Sequence, residues 1–122
     1  MPLILDENNA AYQIRAYTPG QIQVNQDIYT RSLIISSEKL FENWPPQHIS
    51  QLEPEHFHII SELHPAIFIL GTGEKLIFPK IELYGQLLNQ GIGVEIMDTS
   101  AACRTYNILA LEGRNVAALL II

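Results

Sequence analysis

A chain of 122 residues and 13.8 kDa has the size of one domain and leaves no room for a second. Its 48% hydrophobic and 16% charged content excludes a disordered or collagenous chain, and about two-thirds of the unfolded surface can be buried at this size without disulfides or a structural metal. Seven Lys and Arg against thirteen Asp and Glu leave a net charge of −6, and the cations (Arg15, Arg31, Lys39, Lys75, Lys80, Arg104, Arg114) form no run that could track a phosphate backbone, which argues against nucleic acid as a partner.

The stretch from Met1 to Glu7 carries acids where a secretory signal needs cations and lacks the arginines of a transit peptide. The longest apolar run, Val116 to Ile122, falls far short of the ~20 residues that span a bilayer. The lone Cys103 has no internal partner for a disulfide. A chain starting at Met1 and residing in the cytoplasm is expected, with no transmembrane segment.

Residues 12–36 read as extended runs, Tyr12–Tyr17, Ile22–Val24 and Ser32–Ser36, separated by turns at Pro19-Gly20 and Asn25-Gln26-Asp27. A meander or hairpin is expected, with alternation placing Tyr12, Ile14 and Ala16 on one face and Gln13, Arg15 and Tyr17 on the other. Residues 37–52, with Trp44-Pro45-Pro46, are expected to be a connecting loop, with Trp44 packed over the domain. Pro54 suits a first helical position, the stripe Leu52, Phe57, Ile60 and Leu63 predicts a helix over 54–63, and Pro65 stops it.

From residue 66 onward strand and helix alternate. The apolar run 66–70 predicts a strand covered on both faces, ended by Gly71-Thr72-Gly73. A helix is predicted over 80–90, with Ile81, Tyr84, Leu87 and Leu88 inward and Gly91 at its left-handed end. A strand over 92–97 leads to a helix over 99–111, opened by Asp98 or Thr99 and closed by Gly113. The apolar run 115–121 predicts a central last strand. The expected fold is a single three-layer α/β domain, residues 1–122, with a central mixed sheet and an N-terminal β-meander followed by β-α-β-α-β.

Several features are candidates for chemistry. Gly71-Thr72-Gly73-Glu74-Lys75 follows a buried strand, as phosphate loops do, yet Leu76 stands where the dinucleotide pattern needs a third glycine, and the P-loop pattern is also absent. His48, His56, His58 and His64 cluster in sequence, but His56 and His58 are spaced to face opposite sides of a helix, so no metal is expected. Cys103 lies early in a helix beside Arg104 and could be activated there, although no histidine follows it and a small residue also serves close helix–sheet packing. Because ligands bind at the C-terminal ends of parallel strands, Gly71, Thr72, Gly73, Asp98, Thr99, Cys103 and Arg104 are the candidate ligand or partner-binding residues. The plain alternative is that Asp98 or Thr99 caps a helix and Arg104 is its neighbouring charge.

Gly91-Ile92-Gly93-Val94-Glu95-Ile96-Met97-Asp98-Thr99, then Ala102-Cys103-Arg104-Thr105-Tyr106-Asn107 and Glu112-Gly113-Arg114-Asn115-Val116-Ala117-Ala118, resembles the domain of unknown function 498 family. Gly71-Thr72-Gly73 with Phe78-Pro79, and Tyr29 through Ile35, look like it as well, so the resemblance covers nearly the whole chain. Members include stand-alone bacterial and archaeal proteins, a mitochondrial assembly factor for respiratory complex I and an adipogenesis-associated animal protein. The resemblance implies a three-layer α/β domain and action through protein partners, with no established reaction; no cofactor is expected. Two functions follow as expectations: a binding or assembly module using an exposed apolar surface, or a small-molecule site or enzyme at the Gly71/Asp98/Arg104 crevice. Self-association is left open.

Overall fold

The computed structural model describes residues 11–122, so the reading of Met1 to Glu7 lies outside the described residues. Its centre is a five-stranded sheet ordered β5-β4-β8-β6-β7, built from β4 (Leu33–Ser36), β5 (Leu40–Phe41), β6 (Ile67–Gly71), β7 (Gly93–Met97) and β8 (Val116–Leu120). β6 runs parallel to both β7 and β8, while β4 is antiparallel to β8 and to β5. The apolar run at the C-terminus is therefore a central strand, as its continuous hydrophobicity requires. Alternation sends Ile69, Ala118 and Leu120 to one face and Phe68, Leu70 and Leu119 to the other, each face with its own core.

α3 (Thr99–Leu111) covers the first face, packing Ala102, Cys103, Tyr106 and Ala110 into that core. α1 (His58–Leu63) and α2 (Ile81–Asn89) cover the second, giving three layers around a mixed sheet. The helix over 54–63 begins with a 3-10 turn, Pro54–Phe57, whose Glu53 and His56 form a reciprocal capping box. It ends with His64 in the left-handed conformation at φ 47°, immediately before Pro65.

Four expectations need correction. The run 32–36, expected with the meander, instead supplies β4 of the central sheet, and the meander is β1 (Ile14–Thr18), β2 (Gln21–Val24) and β3 (Asp27–Tyr29), a separate three-stranded sheet whose Ile14, Ile22 and Val24 share the α3 core. Its face assignment changes midway, because a bulge shifts the register between Ile14 and Ala16. One extra residue inverts the alternation beyond it, so Tyr17 is half-buried opposite Ile22 while Ala16 is exposed. Residues 37–52 are not wholly loop, for Leu40–Phe41 pairs with β4 and Ile49–Gln51 makes a 3-10 turn. α2 rests on Leu83, Tyr84 and Leu87, leaving Ile81 and Leu88 exposed, since so short a helix meets its neighbours along a narrow strip. Trp44 is half-buried against the second core, edge-on to His56 with ring centroids 6.1 Å apart.

Candidate functional site

β6 and β7 are neighbours in parallel register, with Gly71 opposite Met97, so the glycine turn and the start of α3 meet at one end of the sheet. Thr99 joins them. Its hydroxyl donates to the Ile121 carbonyl at 2.6 Å and accepts from the Gly73 N–H at 2.8 Å, while its own N–H donates to the Gly73 carbonyl at 2.9 Å. Thr72 is also committed: its N–H donates to Met97 at 2.9 Å and its hydroxyl donates to the Lys75 carbonyl. Gly73 adopts φ +100°, a conformation that side-chain-bearing residues rarely enter. Gly71 is needed for space, because a Cβ there would lie 3.0 Å from Leu120 Cδ2 and Thr99 Oγ1 and 3.1 Å from Ala102 Cβ. The glycines thus bring the turn and the helix into direct contact, with the hydrogen-bonding groups of this joint facing one another.

Asp98 is the N-cap of α3, its Oδ1 accepting from the Ala101 N–H at 2.9 Å. Arg104 does not pair with it. Its Nη1 donates to Ser100 Oγ at 2.9 Å, one helical turn back, and among the described residues the one ion pair is Arg114 with Glu112 at 3.9 Å.

Cys103 is buried against the sheet, and that burial pushes its thiol up to about 12 despite the opposing pull of Arg104. The positive helix end does not offset the desolvation, so the group is a neutral packing thiol at physiological pH. Two results are expected. At pH 8 an alkylating reagent should leave Cys103 unmodified in the native protein and label it on unfolding. Below pH 9 the thiol is protonated in both states; from pH 9 to about 12 the unfolded chain loses the proton and the folded one keeps it. Stability should therefore fall as pH rises through this window, by at most about 1.4 kcal/mol per unit, as pH-dependent denaturation would show. Burial raises Tyr106 in the same direction.

Two adjoining hollows of about 260 Å³ each open between β1 and the first half of α3, sharing Tyr17 and Ser100. Cys103 and Arg104 line the first and Gly73 the second, while Gly71, Thr72, Asp98 and Thr99 line neither. Arg15, Tyr17 and Ser100 were missed from the sequence; the bulge that carries Arg15 and turns Tyr17 inward has no single-sequence signal. A further surface lies outside the candidate residues. Leu76, Ile77 and Phe78 are consecutive large apolar residues between Lys75 and Pro79, and they are 50%, 48% and 70% exposed, with Ile81 at 57% beside them. Exposed runs of this kind are not needed for folding.

These features define a mixed α/β domain in which a five-stranded sheet carries a separate meander and the glycine turn after β6 is hydrogen-bonded to the start of α3. The chain belongs to the family described as Protein of unknown function (DUF498/DUF598), whose model matches residues 14–121. It is 31% identical over 122 residues to a protein of Francisella tularensis named 13 kDa major membrane protein, covering 99% of both chains. Over 117 residues it is 30% identical to NADH dehydrogenase [ubiquinone] 1 alpha subcomplex assembly factor 3 of Danio rerio, covering 94% of this chain and 67% of that one. A solution structure from Xanthomonas campestris superposes with a TM-score of 0.83 at 40% identity, covering 100% of this chain and 92% of that one. No helix among the described residues is long and apolar enough to cross a membrane.

Proposed function

We propose that this protein is a single-domain, non-catalytic module of the cytoplasm that docks onto protein partners during the assembly of a larger complex. The observation that carries this reading is the exposed run Leu76-Ile77-Phe78 with Ile81. Pro79 is buried at its base, which holds the run on the surface of the fold, and a hollow of about 450 Å³ lined by Leu52, Phe78, Pro79 and Leu83 adjoins it. An exposed aromatic beside a recess is the type of feature around which protein interfaces concentrate their binding energy. The assembly-factor name of the Danio rerio relative supports the same class of role.

The alternative, a small-molecule site or enzyme at Gly71–Gly73 and Asp98–Arg104, is less well supported. Thr99 has its hydroxyl engaged on both sides, Asp98 is spent on the cap, and Cys103 is protonated.

Phe78→Asp tests the reading. The side chain is exposed, so stability should change by no more than about 0.5 kcal/mol, whereas recovery of the partner from the native organism should fall about tenfold or more. Unchanged partner recovery by this variant, or catalytic turnover by the wild type, would overturn the proposal.

A further inference from the structure

We propose that the hollow between β1 and α3 is a binding site for a single phosphate-type oxyanion, held between Arg15 and Arg104. This inference does not depend on the apolar docking surface, which lies on another part of the molecule.

The chain carries seven cations against a net charge of −6, yet two of the seven line one small cavity. Neither is in an ion pair among the described residues. Arg104 is positioned, because its bond to Ser100 Oγ at 2.9 Å draws the guanidinium back toward the start of α3, where the hydroxyl also lines the cavity. Arg15 is brought to the same hollow by the bulge between Ile14 and Ala16. The strand is fixed there by Asn107, whose Oδ1 accepts from the Ile14 N–H at 3.0 Å and whose Nδ2 donates to the Ile14 carbonyl at 2.7 Å.

Two like charges lining one cavity repel each other, and a bound anion removes that cost while using the donor geometry for which arginine is suited. Tyr17 lines the hollow as well. Its hydroxyl oxygen is buried with no hydrogen-bond partner, and desolvation, then Cys103, Glu74 and Asp98, raise its pKa, so it stays an O–H group. Glu74 borders the second hollow with Gly73 and Asp98 caps Ala101, whereas the first hollow is lined by Arg15 and Arg104 and by no acidic residue. The volume of about 260 Å³ lies below the range of about 300 Å³ and upward typical of organic-ligand pockets, and it suits one tetrahedral anion.

The test is a titration of the isotopically labelled protein with inorganic phosphate at low ionic strength, followed by amide NMR shifts. Saturable shifts confined to residues 14–17 and 100–107 are expected. Each variant removes a charge-assisted hydrogen bond, so Arg104→Ala and Arg15→Ala should each weaken binding about tenfold or more, with Lys80→Ala unchanged and all three melting alike. Methyl phosphate distinguishes the source of the anion within the proposal: tighter binding than inorganic phosphate marks the head of a small phosphate ester, and equal binding marks the free ion. Non-saturating shifts spread over the surface, or arginine variants that bind like the wild type, would overturn the site. Tighter binding of acetate than of phosphate would overturn the phosphate assignment in favour of a carboxylate.

Discussion

Thr99→Val is expected to destabilise the protein by about 2–4 kcal/mol, with little change in the shape of the side chain. The hydroxyl is fully buried and is the hydrogen-bond partner of both the Gly73 N–H and the Ile121 carbonyl. Valine satisfies neither, and each group then carries an uncompensated desolvation penalty of about 1–3 kcal/mol. Thr99→Ser keeps the hydroxyl and loses one methyl, so its cost should stay near 1 kcal/mol. Denaturant unfolding of the two variants separates these effects: the midpoint should drop for valine and scarcely for serine, at unchanged slope. Equal losses would show that the methyl, and not the bridge, is what this position supplies.

Much of the layered fold could be read from local chemistry. Asp98 caps α3, Gly113 adopts φ +76° after it, and the apolar run after Asn115 is the central strand its composition demands. Those signals lie within a few residues of the element they define. The joint at Thr99 is legible only as a cluster, because its partners come from 26 and 22 residues away and whether a hydroxyl is free or spent depends on where they end up. The same limit hid the groove. A bulge at Arg15 leaves no mark in an alternating pattern, yet it decides that Tyr17 turns inward and Ala16 outward. Strand propensity identified the meander without indicating that it would pair only with itself, since pairing partners are selected by packing against α3. In α2, apolar residues at helical spacing predict an inward face, whereas the helix is too short and too peripheral to bury Ile81 and Leu88.

Tyr106→Ala is expected to have the largest effect, a loss of about 3–5 kcal/mol, by the measure of aromatic-to-alanine changes in packed cores. Tyr106 is fully buried in the core that α3 shares with the central sheet and with Ile14, Ile22 and Val24 of the meander, so truncation opens a cavity where both sheets meet one helix. Its hydroxyl also donates to the Tyr12 carbonyl at 3.2 Å, beside the bonds from Asn107 to Ile14. Tyr106→Phe removes that bond alone and should cost about 1 kcal/mol. Hydrogen exchange gives the sharper reading, because the two sheets exchange no strand hydrogen bonds and the meander is held chiefly through α3. In Tyr106→Ala, amides of 14–29 should lose protection before those of β6 and β8. Uniform loss across both sheets would mean that the meander and the central sheet open as one unit, and that the hollow carrying Arg15 is as rigid as the core beneath it.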